Sequence, residues 1–235
     1  MRGLFVTGTD TAAGKTVLSA SLLAAMRAGG EQALACKPVL TGLDEDPPPP
    51  WPADDQLLAL VTGSERTKIA PYRFGPAVSP HLAAELAGTP LDPDELVAGV
   101  HAALAGAGVA VVEGVGGLMV PIAGRWLVRD LAVELGLPLV VAARPGLGTI
   151  SHTLLTLEAA RTVGLDVRAV VLTPWPAEPG EIERSNRRTI AELGAVEVST
   201  LEELSGPDPG ALARAGSSLP WRQWVAEASG EPSPR

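Results

Sequence analysis

The sequence is short of cations, aromatic rings, cysteine and long apolar runs, and each shortage argues against a class of function. Against 27 Asp and Glu there are only 18 Lys and Arg, a formal net charge of -9. A surface of that sign repels polyanions, so no nucleic acid and no anionic membrane is expected as the main partner, and a small ligand is. Aromatic residues are 3% of the chain, and its five Trp are more simply read as core or dimer packing than as base-stacking platforms. The one cysteine, Cys36, cannot close an internal disulfide and fits a reducing, cytoplasmic setting; within its apolar run it reads as a small buried strand residue. The run Leu4-Phe5-Val6 gives way at once to Thr, Gly and Asp10, and no later stretch is long enough to span a bilayer, so neither export nor membrane insertion is signalled.

What is present is ample material for a core: 46% of 235 residues are hydrophobic, which predicts a single domain over residues 1–228 and a frayed tail over 229–235. One grammar recurs along the chain. A helical stretch ends in glycine and is followed by a short apolar, β-branched run: Gly29-Gly30 before "ALACKPV", Gly106 and Gly108 before "VAVVEG", Gly136 before "LPLVVAARPG", Gly164 before "LDVRAVVLTP" and Gly194 before "AVEVST". Glycine ends a helix at little steric cost, and runs apolar on both faces suit strands buried between two helical layers. The stretches "KTVLSASLLAAMRAG", "PDELVAGVHAALAGA", "ISHTLLTLEAARTVG" and "EIERSNRRTIAELG" carry apolar residues at spacings of three and four and read as crossover helices. The pattern predicts an α/β fold with a mostly parallel sheet. The acid-flanked prolines of "DEDPPPPWPADD" mark a solvated loop, and "LPWRQWVAEAS" a last helix packed through Trp221 or Trp224.

The chemistry-bearing residues sit at the ends of these strands. "GLFVTGTDTAAGKTVLSASLL" is strand, glycine loop and helix in that order, with Gly14, Lys15 and Thr16 where a phosphate loop of the form G-x-x-x-x-G-K-[ST] has them, although Gly8 lies one step early. Lysine is scarce: Lys15, Lys37 and Lys68 are the three in the chain. Lys37 closes the second strand just before Pro38, and ligands of open parallel sheets sit beyond the carboxyl ends of the strands, so Lys15 and Lys37 are expected to converge on one crevice. Glu113, at the end of "VAVVEG", is placed to be a metal carboxylate there, and Gly114, Gly116 and Gly117 let the backbone approach a ligand. Asp54 or Asp55 opens the helix "DDQLLALV"; Asp54 with Thr16 and Glu113 would make a Mg²⁺ set, and either acid could equally well cap the helix. His101 reads as a surface residue of a helix, and His81 and His152 as local hydrogen-bonding groups at helix starts.

Taken together, "VTGTDTAAGKT", "CKPVLTG", "VVEGVGGLMVP" and "RPGLGTISHTLLTLEA" resemble the dethiobiotin synthetase family, in the family's order and over nearly the whole chain. In that family the glycines of the phosphate loop are separated by five residues, which accounts for the position of Gly8. The resemblance implies a P-loop three-layer sandwich with a sheet of about seven strands, working as a homodimer, that closes a ureido ring on 7,8-diaminopelargonic acid with CO₂ and ATP. It implies catalytic roles for Lys37, Lys15 and Thr11, and Mg²⁺ on Thr16, Asp54 and Glu113. ATP is expected at Ala12, Ala13, Gly14, Lys15, Thr16, Val17, Asp54, Glu113, Gly114, Val115, Gly116, Thr173 and Pro174. The diamine is expected at Lys37, Thr41, Gly148, Ile150 and Ser151. Three positions depart from relatives: Ser151 stands where Asn precedes the His, Thr173 where some members carry an Asn that reads adenine, and Ala12 where some carry an acid. Two other P-loop classes differ from this sequence. A cobyrinate-type amide ligase adds a glutamine-hydrolysing domain for which this chain is too short, and a partitioning-type switch ATPase carries a lysine near the loop's start where Thr9 and Asp10 stand.

Overall fold

The computed structural model describes residues 1–225; the expected tail at 229–235 lies outside them. In chain order the elements are β1 (Gly3–Gly8), α1 (Lys15–Ala28), β2 (Ala33–Cys36), β3 (Val39–Leu40), α2 (Asp54–Thr62), α3 (Arg66–Ile69), β4 (Tyr72–Arg73), α4 (Pro80–Leu86) and α5 (Pro93–Ala103). Then follow β5 (Val109–Gly117), β6 (Pro121–Ala123), β7 (Trp126–Leu127), α6 (Val128–Leu135), β8 (Leu139–Ala143), α7 (Thr149–Arg161), β9 (Val167–Trp175), α8 (Glu181–Gly194), β10 (Glu197–Glu202), α9 (Pro209–Ser217) and α10 (Trp221–Trp224).

Six of the strands form one sheet in the order β10-β9-β8-β1-β5-β2, and every pairing in it is parallel. The expected count of about seven is thus six among the described residues. Pro38 cannot donate to the ladder, and after it Val39 and Leu40 leave the main sheet to pair with Tyr72 and Arg73 in a separate two-stranded one.

Side chains alternate across the strands, and the alternation builds the layers. Leu4, Val6, Val109, Val111, Val140 and Ala142 face a core shared with α1, α2 and α9, in which Trp221 and Trp224 are buried. Phe5, Ala110, Val112, Leu139 and Val141 face the other core, closed by α5, α6, α7 and α8. One expectation shifts by a residue. Gly194 does not follow its helix but is its last residue, packed so closely on α7 that a Cβ there would come within 2.8 Å of Leu157 Cδ1. Ala195 takes the left-handed turn instead, with φ 42°. None of the helices among the described residues is long and apolar enough to cross a membrane.

Candidate active site

Register carries the site together. Val6 pairs with Glu113, and Cys36 pairs with Val112, so Lys37, one residue past β2, arrives beside Glu113 at the carboxyl edge of β5. Its backbone N–H bonds the Ile69 carbonyl at 2.7 Å, which holds the chain as it leaves the sheet. The Lys37 ammonium then sits 2.7 Å from Glu113 Oε1 and 2.6 Å from Asp54 Oδ2. Thr16 Oγ1 donates to the same Glu113 Oε1 at 2.8 Å. One carboxylate oxygen therefore joins the phosphate-loop helix to the end of the second strand.

The loop preceding α1 is tightly turned around the lysine that opens the helix. Gly14 caps the helix with φ 84°, a conformation that L side chains rarely adopt. Lys15 opens the helix and donates to the Asp10 carbonyl at 3.1 Å, its ammonium passing 3.1 Å from where a Cβ on Gly8 would be. Glycine at position 8 thus makes room for the lysine. Ala13 is fully buried, Ala12 takes φ 56°, and Thr11 is exposed.

Electrostatics separates the two lysines. Burial, with the Lys37 charge as a second cause, brings the Lys15 ammonium down to about 8, although Glu113, Asp54 and Asp10 act the other way. Burial would also lower Lys37, but the charges and hydrogen bonds of Asp54 and Glu113 outweigh it and hold this ammonium above the usual lysine range. Asp54, conversely, is held below the usual carboxylate range: burial would raise it, and the Lys37 charge and hydrogen bonds from Lys37 and Thr16 prevail. Lys37 is buried and permanently charged, whereas Lys15 is the cation whose charge most needs an incoming anion.

The structure also separates the two adjacent acids. Neither caps α2, whose N-cap is Ala53. Asp54 faces Lys37, whereas Asp55 turns into the scaffold, fully buried, accepting from Arg66 Nε at 2.7 Å and from Arg73. Thr16, Asp54 and Glu113 form an all-oxygen donor set, and Glu113 Oε2 is buried without a hydrogen-bond partner, which fits a hard cation such as Mg²⁺. No group of three or more His, Cys, Asp or Glu among the described residues could hold a metal alone. Such an ion would take its remaining ligands from phosphate oxygens and water.

Other expected residues lie at the same edge without bonding to this group. Gly114, Val115 and Gly116 continue β5 past Glu113, and Gly116 has φ 60°. Val17 is half-buried in the first turn of α1. Thr173 is buried, its methyl carbon 2.6 Å from where a Cβ on Gly14 would lie, so it underlies the loop; Pro174 is exposed. Gly148 caps α7 with φ 89°, and Ile150 and Ser151 lie in that helix's first turn, Ser151 exposed. Thr41 is half-buried just after β3. Among the described residues Thr41, Gly148, Ile150 and Ser151 make no hydrogen bond to Lys15, Lys37 or Glu113. His81 and His152 do stand at helix starts, in α4 and α7. Residues not anticipated from the sequence support the site from outside: Arg66 and Arg73 through Asp55, and Asn186, which donates to the carbonyls of Pro145 and Gly146 at 2.9 and 3.1 Å and so anchors the loop before α7.

A parallel sheet with a glycine loop, a lysine and a threonine at the start of the first helix defines a P-loop nucleotide-binding α/β protein. A family model described as an AAA domain matches residues 2–203. The chain is 42% identical to the ATP-dependent dethiobiotin synthetase BioD of Anaeromyxobacter sp. (strain Fw109-5), over 83% of this chain and 91% of that protein. It is 37% identical to the enzyme of the same name from Mycobacterium sp. (strain KMS), over 96% and 99%, and 36% identical to that of Haloferax mediterranei, over 97% and 95%. The chain belongs to the ATP-dependent dethiobiotin synthetase family. Two solved structures share its fold: a ParA family ATPase from Chlorobium tepidum TLS, with TM-score 0.59 and 11% identity over 92% of this chain and 97% of that one, and a chain of the MinC:MinD cell division protein complex of Aquifex aeolicus, with TM-score 0.61 and 13% identity over 99% of both.

Proposed function

We propose that this chain is the ATP-dependent cyclo-ligase that converts 7,8-diaminopelargonic acid and CO₂ into dethiobiotin in biotin biosynthesis, releasing ADP and phosphate. The observation that carries the reading is the buried Lys37 ammonium, held between Asp54 and Glu113 beside a phosphate loop with its own lysine. An amine of the diamine adds to CO₂, losing a proton, to give a carbamate. A carbamate oxygen displaces ADP from the γ-phosphorus, and the second amine then attacks the carbamoyl carbon, closing the ring as phosphate leaves. No protein nucleophile is needed.

The residues suit these steps. Lys15 would meet the β- and γ-phosphates at the helix N-terminus, its ammonium held charged by them, and Lys37 would face the negative charge that builds on the carbamate and transferred phosphoryl group. Thr16, Asp54 and Glu113 would hold Mg²⁺, which when bound would neutralise phosphate charge. Thr11 and the backbone of Ala12 to Val17 would line the phosphates, with Gly114, Val115 and Gly116 beside them and Thr173 and Pro174 toward the base. Thr41 would meet the carbamate end of the diamine. The first turn of α7, at Gly148, Ile150 and Ser151, would meet its distant carboxylate, reached across a homodimer boundary. Residues 1–228 would act as one ligase domain, in the cytoplasm and without nucleic acid or membrane. Purified protein should release phosphate only when diamine, bicarbonate, Mg²⁺ and ATP are all present; release that ignores the diamine counts against the reading.

A further inference from the structure

The phosphate loop contains an acid that its task does not explain. Between Gly8 and Lys15 the one charged residue is Asp10, and a carboxylate beside bound triphosphate repels it. The sheet supplies a counter-charge. Gly8 pairs with Ala142 of β8, and the Thr9 N–H continues the ladder to the Ala142 carbonyl at 3.0 Å. Asp10, two residues past the end of β1, and Arg144, one past the end of β8, therefore emerge side by side. Arg144 Nη2 lies 3.7 Å from Asp10 Oδ2, with the two side chains 56% and 54% exposed. The other Asp10 oxygen, Oδ1, accepts from the Thr11 N–H at 2.7 Å, and its carbonyl accepts from Lys15. Asn186 fixes Pro145 and Gly146 immediately after the arginine.

We propose that Arg144 is a positioning residue for the nucleotide: paired with Asp10 at the loop's outer side, it cancels the carboxylate's repulsion of the triphosphate while leaving Asp10 free to shape the loop through Thr11 and Lys15. Arg144 acts through Asp10 and does not itself contact phosphate. This inference rests on the ATP reading above and adds a determinant of nucleotide affinity that the phosphate-loop pattern does not include.

The test is a double-mutant cycle read as KM for ATP and kcat, with calorimetry of ATP binding alongside. Arg144→Ala should raise KM for ATP about threefold to fivefold at low salt, the upper range for a solvent-exposed ion pair, and change kcat less than about twofold, because the interaction is equally present in bound and reacting states. At about 1 M salt, where the screening length is about 3 Å, most of the difference should vanish. Asp10→Asn keeps the acceptor for Thr11 and should tighten ATP binding. In the double variant, KM should return to within about twofold of the unsubstituted protein. A double variant as weak as Arg144→Ala alone would mean direct phosphate contact and overturn the proposal, as would an unchanged KM in Arg144→Ala. If the unsubstituted protein itself binds no ATP, the functional reading falls with it; if that protein binds and Arg144→Ala binds equally, this inference alone is lost.

Discussion

The two ends of the central sheet differ in a way that cavity size would misrepresent. At the amino end a cleft of about 700 Å³ opens among the described residues, lined by Arg2, Gly3, Leu137, Pro138, Leu165 and Arg168 among others. At the carboxyl end the cavity beside Glu113, lined by Pro38, Val39 and Val128, measures about 10 Å³. Yet the buried charges stand at the carboxyl end: Lys15, Lys37 and Glu113 are each less than a tenth exposed, whereas Arg168 at the amino end pairs with a half-exposed Asp166. Burying a charge is costly unless it is paired, so a fold that collects three where a glycine loop opens has done so against its own stability. Buried charge gathered beside a glycine loop, and not volume, points to where chemistry is done; Asp55, equally buried but paired with Arg66 and Arg73 away from that loop, serves the scaffold.

The contrast is broken most directly at Lys37. Lys37→Ala should lower kcat by about a hundredfold to a thousandfold, the scale of losing one fixed charge aimed at the transition state, while ATP binding by calorimetry is largely kept. Lys15→Ala should impair both, and equal loss of binding in the two variants would end the division of labour between them. The next test separates neighbours. Asp54→Asn should cost about tenfold or more in turnover, with a smaller change in melting temperature than Asp55→Asn, since Asp54 is 40% exposed and Lys37 keeps Glu113 as a partner. Asp55→Asn removes charge-assisted bonds to two arginines in the scaffold and should cost about 2 kcal/mol, roughly 4–8 °C of melting temperature, with turnover per folded molecule mostly kept. A reversed pattern would mean the second acid serves the metal.

Cys36 sharpens the comparison more gently, from within the sheet. Burial pushes its thiol up to about 12, so the native protein should resist a thiol reagent at pH 8 and react fully once unfolded. The linked effect on stability has a defined sign. Above a free thiol's ordinary value of 9.0 the unfolded chain loses a proton that the folded chain keeps, so this group's contribution is complete below that pH and is lost as pH climbs toward about 12. The smallest effect is expected in the amino-end cleft: Arg168→Ala should change KM for ATP by less than about twofold and stability by no more than about 1 kcal/mol. A larger change in KM would make that cleft part of the nucleotide's environment.

Local pattern carried much of this. Glycines at the ends of helices and apolar runs after them announced the alternating fold, and a lysine surviving at position 37 in a chain with three lysines pointed to the crevice. What local pattern could not supply was partner choice over distance. Asp54 and Asp55 are adjacent and chemically identical; they part because Arg66 and Arg73 fold back onto one of them, a contact made only when α3 and β4 are in place. The pairing of Asp10 with Arg144 likewise exists only through the β1–β8 register. Gly194 had the right residue type for a helix stop, yet the close approach of α7 gave it a different use.

The single Glu113 oxygen that receives both Thr16 and Lys37 has a thermal corollary. It ties the start of the first crossover helix, the rim of an inner strand and the end of the second strand to one buried carboxylate, so loss of this anchor and loss of the fold should go together. Heating should then extinguish turnover and the cooperative unfolding signal at one and the same midpoint, with no inactive but folded interval between them.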